Sequence, residues 1–301
     1  MSQYVKLLAA LVVSFTYLLI YSRRSAPPAS PRFRIANVKY ILLWGPRESP
    51  FDLIENGVSS FIDNNCEHFN CFITGNEKLL KDVTFFDAVV FNGKWYTRWI
   101  KPPARRSEHQ KYIFAGTESS HNYPVCDSRA NGFFNWTWTY KLDSDIKWRY
   151  FVIYNMNGQQ IGPKTNMKWV DMDPISDELK IKLNGKTKGA AWFVSNCATV
   201  GKREKLFKEL NNLREYEWRI DVFGKCGKLT CPRESEELCN KMVEDDYHFY
   251  FAFENSFSED YVTEKLLTAL NHYAIPVVFG SANYSRFLPP GSYLDARELG
   301  P

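Results

Sequence analysis

The sequence predicts an α/β fold made of two halves, each with a parallel sheet flanked by helices. Short apolar runs alternate with helical or polar segments between residues 38 and 115, and the same alternation begins again near residue 190. The charged stretch Asp177 to Lys188 between them is predicted to be a linker helix. Two halves of this kind suggest two Rossmann-like domains facing a cleft, over residues 37–176 and 177–301.

The first half is predicted from apolar runs that are separated by polar segments. Residues 38–44 (VKYILLW) predict the first strand, and residues 52–63 predict a helix because their apolar side chains fall on one side. Further strands are predicted at residues 69–74, 88–91 and 112–115. From Phe133 to Asp173 the chain is aromatic and rich in loop-forming residues.

The second half repeats the pattern with clearer helices. Strands are predicted at residues 190–195, 220–223, 249–253 and 275–279. Residues 203–213 (REKLFKELNNL) are amphipathic at helical spacing, and residues 261–270 predict another helix.

The N-terminus predicts a membrane anchor. Residues 7–21 (LLAALVVSFTYLLIY) carry no charge and lie between Lys6 and the pair Arg23-Arg24. This run is shorter than the span of about 20 residues, but thin membranes and flanking residues ease the mismatch. A cleaved signal peptide is the alternative, disfavoured because the arginines stand where cleavage is expected. We therefore expect a cytoplasmic tail and signal-anchor over residues 1–24 and a Pro/Ala/Ser-rich stem over residues 25–36.

The seven cysteines favour an oxidising compartment. Two C-x4-C pairs, Cys66/Cys71 and Cys226/Cys231, predict local disulfides, and because seven is an odd number at least one thiol is left over. A zinc site is the alternative, and His248 alone supports it poorly. Two N-glycosylation sequons, at Asn135 and Asn283, are compatible with the lumen, although each lies in an aromatic-rich setting.

Several function classes lose support from composition and motifs. The net charge of +4 is small and the basic residues are scattered, so no nucleic-acid partner is expected. The chain contains neither G-x-G-x-x-G nor G-x4-G-K-[ST], which disfavours dinucleotide and Walker-type phosphate binding.

The stretch 251–267 (FAFENSFSEDYVTEKLL) concentrates four carboxylates and Lys265 after a predicted strand. Open α/β sheets bind ligands at the carboxyl ends of their strands. A helix that begins near Val262 offers backbone N–H groups and a positive dipole end to a phosphate. Lys265 in its first turn is unfavourable unless an anion binds there, whereas Glu259 and Asp260 are interpreted as solvated capping groups.

This stretch, followed by residues 275–295 (IPVVFGSANYSRFLPPGSYLD), resembles the donor-binding signature of the α1,3-fucosyltransferases, glycosyltransferase family 10. The resemblance covers roughly residues 38–299 and extends through WFVSNC (192–197), VFGKCG (222–227), FNWT (134–137) and YKLDSD (140–145). It implies a GT-B fold, GDP-fucose as donor and inversion at the anomeric carbon. It also implies a single-pass type II Golgi membrane protein with its catalytic domain in the lumen.

The resemblance assigns roles to residues of the second half. Lys265 and Arg203 are expected at the donor pyrophosphate and Glu264 at the ribose, while Asn255 and Tyr261 are expected to line the nucleotide pocket. Glu254 belongs to the same motif but receives no clear role. Two fixed cations can stabilise the leaving GDP without a metal, so we expect no required cofactor and at most stimulation by a divalent cation.

Two D-x-D sequences offer an alternative. Residues 143–145 (DSD) and 171–173 (DMD) would suit a metal-dependent glycosyltransferase of a different fold. The first belongs to the YKLDSD motif of the resemblance, and the second lies among prolines, where Asp favours turns.

Glu118 is the candidate general base. It follows a predicted strand of the first half and resembles the glutamate of the family's Glu-Ser-Pro element, although Ser120 stands in place of the proline. Asn92 stands where the family commonly has histidine. A surface carboxylate without function is the plain alternative for Glu118, and His121 is a weaker candidate for the base.

The predicted function is transfer of L-fucose in α1,3 linkage to N-acetylglucosamine of a glycoprotein N-glycan. Whether that sugar belongs to the core or an outer arm stays open. Members of the family continue beyond the residues that match Tyr293-Leu294-Asp295, so we expect a shortened form with reduced or absent activity. The alternative is a catalytically silent Golgi protein that binds GDP-fucose or modulates a full-length partner.

Overall fold

A computed structural model describes residues 37–96, 101–170, 174–212 and 219–298. The chain from Lys39 onward forms one compact unit that contains both predicted halves. The predicted signal-anchor and stem lie outside the described residues, as does the sequence DMD at 171–173. In the part of the chain that the structure describes, no helix is both long and apolar enough to cross a membrane.

The first sheet is parallel throughout, in the order β2-β1-β3-β4-β5-β6. Its strands are β1 (Lys39–Trp44), β2 (Cys71–Thr74), β3 (Ala88–Asn92), β4 (Lys111–Gly116), β5 (Trp136–Thr139) and β6 (Ile146–Lys147). The four predicted strands are confirmed. β5 and β6 lie in the region predicted to be loops. The sequence did not predict them because both are short and largely exposed and show no alternation of buried and exposed residues.

The second sheet is also parallel, in the order β10-β9-β11-β12-β13. An antiparallel hairpin of β7 (Ile153–Tyr154) and β8 (Gln160–Gly162) precedes it. Its strands are β9 (Lys188–Phe193), β10 (Ile220–Phe223), β11 (Tyr247–Phe253), β12 (Ile275–Phe279) and β13 (Leu294–Asp295). The four predicted strands are confirmed. In both sheets the order reverses beside the first strand, which creates a crevice at the carboxyl edge.

The helices are α1 (Ser59–Asp63), α2 (Gly93–Tyr96), α3 (Asp177–Asn184), α4 (Arg203–Asn212), α5 (Glu236–Asp246) and α6 (Lys265–Asn271). Short 3-10 turns occupy Phe51–Leu53, Val83–Phe85, Ser128–Ala130, Arg233–Ser235 and Tyr284–Arg286. The predicted linker helix and the amphipathic helix are confirmed as α3 and α4. Ser176, beside the predicted domain boundary, caps α3 with its side chain. The boundary itself stays a prediction.

The helix predicted over residues 52–63 is wrong in its first half. Gly57 has a φ of 104° and pairs with Ile73 of β2 through Gly57 N to Ile73 O (2.8 Å) and Ile73 N to Gly57 O (3.1 Å). A residue with this backbone conformation ends a helix, and glycine adopts it without steric cost. Only the last turn of the predicted segment is therefore α-helical, as α1.

The helix predicted over residues 261–270 begins later, at Lys265. Asp260 has a φ of 58°, which an Asp side chain tolerates better than most because it forms local hydrogen bonds. Its Oδ1 accepts from Arg286 Nη1 (2.8 Å) and its Oδ2 accepts from Leu142 N (3.2 Å). The buried Asp260 therefore anchors a turn that delays the start of α6, and its interpretation as a solvated capping group is wrong.

Each sheet is covered by apolar side chains on both faces, as parallel sheets require. In the second sheet Trp192 and Phe253 lie on one face, whereas Tyr250 and Val278 lie on the other. This packing fixes the carboxyl ends of β9 and β11, from which the loops of the candidate site emerge.

The predicted local disulfides are wrong. Cys197 pairs with Cys226, and Cys231 pairs with Cys239, with Cα–Cα distances of 5.3 and 6.1 Å. Cys197 and Cys226 follow the neighbouring parallel strands β9 and β10, which brings them within disulfide reach despite their separation of 29 residues. The thiols of Cys66, Cys71 and Cys126 are free.

Candidate functional site

The candidate site lies where the strand order of the second sheet reverses, between β9 and β11. The segment after β9 leads into α4, which begins at Arg203. The segment after β11 runs from residue 254 to α6, which begins at Lys265. The two predicted cations therefore start the helices on either side of the crevice.

Glu254 is the buried carboxylate at the base of this segment, with 2% of its side chain exposed. Its Oε1 accepts from Thr263 N (2.8 Å) and Thr263 Oγ1 (3.0 Å). Burial raises the pKa of Glu254 above its ordinary value, although the positive charge of Lys265 opposes the shift. Glu254 thus closes the turn that precedes α6 and faces the cation that begins this helix.

Lys265 lies against two carboxylates and is 21% exposed. Its Nζ donates to Thr263 Oγ1 (2.7 Å) and Glu264 Oε1 (3.1 Å), and lies 3.4 Å from Glu254 Oε2. Burial by itself would lower the pKa of Lys265, but Glu254 and Glu264 raise it, so the ammonium stays charged. These two acids, rather than an anion, offset the unfavourable placement of a cation at a helix start.

Arg203 is a buried cation that is held by main-chain carbonyls, with 3% of the residue exposed. Its Nη1 donates to Phe253 O (2.7 Å) and its Nη2 to Asn196 O (3.3 Å). Among the described residues, its Nε has no hydrogen-bond partner. Burial lowers the pKa of Arg203. A guanidinium that keeps an unused donor in such a place is suited to an anionic ligand.

The phosphate seat was predicted at the N–H groups of a helix that begins near Val262, but the helix begins at Lys265. The N–H groups of Tyr261, Val262 and Thr263 donate to Ser258 O, Asp260 O and Glu254 Oε1, at 3.2, 3.0 and 2.8 Å. These three N–H groups are therefore engaged within the protein, and the side chains of Arg203 and Lys265 are the candidate groups for an anion. Of the predicted nucleotide contacts, Glu264 is 64% exposed and Asn255 is half-buried beside Ser256.

The structure brings Glu118 of the first half against Tyr261 of the second. Glu118 follows β4, and its Oε2 accepts from Tyr261 Oη (3.1 Å) and Asn122 Nδ2 (3.0 Å). Burial raises the pKa of Tyr261, with Tyr150 and Glu118 adding to the shift, so the phenol is a donor. Two donors on one oxygen fix the orientation of the exposed Glu118 carboxylate.

Serine hydroxyls join the same two loops beside Glu118. Ser119 Oγ lies 2.5 Å from Ser256 Oγ, and both residues are fully buried. Ser120 Oγ lies 2.8 Å from Ser258 Oγ, which also accepts from Tyr140 Oη (2.9 Å). Sequence reasoning missed these pairs and Asn122, because SS (119–120) and SFS (256–258) are distant in the chain and nothing in the sequence links them.

The other residues weighed near Glu118 have structural contacts. His121 is exposed, and its Nδ1 accepts from Phe257 N (3.3 Å), which leaves that nitrogen engaged. Asn92 donates from Nδ2 to Ser49 O (3.2 Å), so the amide in place of the family's histidine holds the loop after β1. These contacts leave Glu118 as the better placed acid–base group.

A cavity of about 480 Å³ opens beside Glu118 at the carboxyl edge of the first sheet. It is lined by loops that follow β1, β3, β4 and β5, including Asn92, Lys94, Glu118, Tyr123, Tyr140 and Asp143. Aromatic, amide and charged groups around one concave space suit a polar ligand such as a sugar.

Asp143 and Asp145 contact different partners in the structure. Asp145 Oδ2 accepts from Thr137 N (2.8 Å) and Thr137 Oγ1 (2.9 Å), and Asp143 pairs with Lys141 at 3.4 Å. Over the described ranges, no group of three or more His, Cys, Asp or Glu side chains is arranged to hold a metal ion. Whether the reaction needs a metal stays a prediction.

Two family models match this chain. The model of the glycosyltransferase family 10 (fucosyltransferase) C-terminal part matches residues 183–300, and that of the fucosyltransferase N-terminal part matches residues 36–151. Alpha-(1,3)-fucosyltransferase C of Drosophila melanogaster is 42% identical over 240 residues, covering 78% of this chain. A human 4-galactosyl-N-acetylglucosaminide 3-alpha-L-fucosyltransferase, FUT6, is 30% identical over 283 residues, covering 91% of this chain and 69% of its own length.

The chain spans about half the length of two Drosophila relatives, 55% of alpha-(1,3)-fucosyltransferase C and 45% of glycoprotein 3-alpha-L-fucosyltransferase A. A crystal structure of an alpha1,3-fucosyltransferase with GDP-fucose superimposes with a TM-score of 0.51 and 17% identity. The match covers 88% of this chain and 75% of that one. The two proteins therefore share their fold.

Proposed function

The chain belongs to glycosyltransferase family 10, the fucosyltransferases, and on this basis we propose that it transfers L-fucose from GDP-fucose in α1,3 linkage to N-acetylglucosamine of glycoprotein N-glycans. The proposal includes a GT-B arrangement with inversion at the anomeric carbon. The observation that supports it is the contact between Glu118, which follows β4 of the first sheet, and Tyr261, in the loop after β11 of the second sheet.

The donor is proposed to bind in the crevice between β9 and β11. Arg203 and Lys265 meet the pyrophosphate through the unused Nε of Arg203 and the positive charge of the Lys265 ammonium. Glu264, whose side chain is 64% exposed, is proposed to exchange its contact with Lys265 for the ribose when the donor binds, and Asn255 and Tyr261 line the nucleotide pocket. As GDP leaves, its negative charge grows, and the two fixed cations stabilise that charge.

Glu118 is proposed to act as the general base. A bond forms between the acceptor O3 and C1 of fucose while the bond from C1 to the phosphate oxygen of GDP breaks, and the acceptor proton passes to Glu118. Tyr261 and Asn122 hold Glu118 Oε2, which directs Oε1 toward the acceptor. The base therefore works from the side of the first sheet, opposite the leaving group.

The acceptor is proposed to lie in the 480 Å³ cavity that Glu118 helps to line. Relatives are named as acting on different acceptors: one Drosophila enzyme as a glycoprotein 3-alpha-L-fucosyltransferase, the human enzyme on 4-galactosyl-N-acetylglucosaminide. We propose an N-glycan acceptor reached in the Golgi lumen by a single-pass type II membrane protein. Linkage analysis of products from defined core and outer-arm glycans identifies which N-acetylglucosamine is used.

The reaction is proposed to need no metal, with a divalent cation at most stimulatory, because Arg203 and Lys265 supply the positive charge at the phosphates. Transfer in excess chelator tests this directly, and complete loss of activity would favour a metal-dependent mechanism.

Transfer of radiolabelled fucose from GDP-fucose to the glycan acceptors, measured with the purified chain, tests the function itself. Calorimetry with GDP on the same preparation separates donor binding from turnover. Binding without transfer would contradict the transferase and favour a catalytically silent donor-binding protein.

A further inference from the structure

The turn that follows β12 presents two polar side chains to solvent around a buried anchor. Tyr284 begins the 3-10 turn Tyr284–Arg286 and is only 2% exposed, packed in the core of the second sheet. Its neighbours Asn283 and Ser285 are both exposed. The anchor thus holds the turn rigidly with the outer two residues directed away from the protein.

The Asn283 amide uses only its oxygen in this turn. Oδ1 accepts from Ser285 N (3.2 Å) and Ser285 Oγ (2.7 Å), which caps the turn. Within the described part of the chain, Nδ2 of Asn283 has no hydrogen-bond partner. A substituent on Nδ2 therefore leaves both bonds to the oxygen intact.

We propose that Asn283 is an N-glycosylation site. Asn283-Tyr284-Ser285 is an N-x-S sequon in an exposed turn, the setting that the modification requires. Nδ2 forms a bond to the anomeric carbon of a lipid-pyrophosphate-linked oligosaccharide. The bond from that carbon to the phosphate oxygen breaks, the lipid pyrophosphate leaves, and the amide proton is released.

The inference rests on the lumenal location included in the proposed function, and the two disulfides are consistent with that compartment. A glycan on Asn283 would lie near the proposed donor crevice. Three residues after Asn283, Arg286 Nη1 donates to Asp260 Oδ1 (2.8 Å), in the loop that leads to α6. The oligosaccharide would therefore project into solvent beside the rim of the site.

The test expresses the full chain in eukaryotic cells and compares the parent with Asn283→Gln, Ser285→Ala and Ser285→Thr. The parent is expected to lose one glycan more than Asn283→Gln and Ser285→Ala on treatment with an N-glycosidase. Ser285→Thr keeps the sequon and must keep the glycan. Peptide mass spectrometry after enzymatic release is expected to find Asn283 converted to Asp in the parent, which reports on this site independently of the sequon at Asn135.

An unmodified Asn283 in the parent, or an equal glycan count in the parent and Asn283→Gln, would overturn the proposal. The fucosyl-transfer assay on the same preparations separates the two claims. A glycan at Asn283 without transfer sinks the proposed function alone, whereas transfer without this glycan sinks the modification site alone.

Discussion

The hydroxyl of Tyr261 donates a hydrogen bond of 3.1 Å to Glu118 Oε2 and so joins the loop after β11 to the loop after β4. The ring of Tyr261 packs edge-on against Tyr140 and Tyr150, with centroids 5.0 and 6.1 Å away. The ring is therefore held by packing, and the hydroxyl orients the proposed base.

Tyr261→Phe separates these two tasks. Because the ring stays, we expect the affinity for GDP to change by less than about twofold. Loss of a hydrogen bond to a charged group costs about 1.5–3 kcal/mol, so we expect kcat to fall about 10- to 100-fold. Calorimetry with GDP and initial transfer rates measure the two quantities. A large loss of GDP affinity at unchanged kcat would mean that the hydroxyl serves the nucleotide instead.

Lys265→Ala is expected to weaken GDP binding about 10- to 100-fold, since one charge-assisted contact to phosphate is lost. Lys205→Ala is the matched control: Lys205 lies on α4 with 75% of its side chain exposed, and its removal should leave the affinity unchanged. Calorimetric titration with GDP checks both variants. Equal affinities for GDP in Lys265→Ala and the parent would show that Lys265 does not bind the pyrophosphate.

Glu254→Gln tests two roles of the buried carboxylate, its effect on the stability of the fold and its effect on donor binding through Lys265. The glutamine oxygen still accepts from Thr263, but the negative charge facing Lys265 disappears. We expect GDP affinity to fall several-fold, because Lys265 is less firmly positioned.

The same variant has a pH signature in its stability. The pKa of Glu254 is raised in the folded state by burial, so the folded parent binds this proton more tightly than the unfolded chain. The parent therefore loses stability relative to Glu254→Gln as pH rises from the ordinary range of a glutamate through the raised pKa. Denaturant unfolding at about pH 4 and about pH 7 should show that the free energy of unfolding of Glu254→Gln rises relative to that of the parent at the higher pH. If the free energy of unfolding of Glu254→Gln instead falls further below that of the parent at the higher pH, the pairing of Glu254 with Lys265 outweighs the effect of burial.

Lys186 is a buried cation outside the candidate site, 5% exposed. Its Nζ donates to Tyr247 O and Tyr273 O at 2.8 Å, and burial lowers its pKa to about 8. Lys186→Met leaves these carbonyls unsatisfied, so we expect a loss of about 2–4 kcal/mol in the free energy of unfolding. Lys188→Met, at the nearby exposed pair with Asp246, should cost less than about 1 kcal/mol. Similar unfolding midpoints for the two variants would contradict the structural role of Lys186.

The sequence predicted most of the sheet strands because buried parallel strands are continuous apolar runs, as in AVVF (88–91) and IPVVF (275–279). It failed where tertiary contacts decide. Gly57 is turned by its pairing with Ile73, and Cys197 meets Cys226 only because β9 and β10 are neighbours. α5 escaped notice since its sequence, EELCNKMVEDD, is mostly charged and only Cys239 and Val243 are buried.

Part of the candidate site could be predicted from the sequence. The family resemblance assigned Arg203 and Lys265 to the donor, and the structure has both residues at helix starts after strands. Their surroundings were not legible. The capture of Thr263 by Glu254, and the contact of Glu118 with Tyr261, depend on loops that are distant in the chain.

The most direct test of the account measures fucose transfer and GDP affinity together for the parent and Glu118→Gln. We predict that the parent transfers fucose, and that Glu118→Gln binds GDP as the parent does while its kcat falls by about 10²- to 10⁴-fold, the usual contribution of a general base. Full turnover by Glu118→Gln, or GDP binding by the parent without any transfer, would contradict the account.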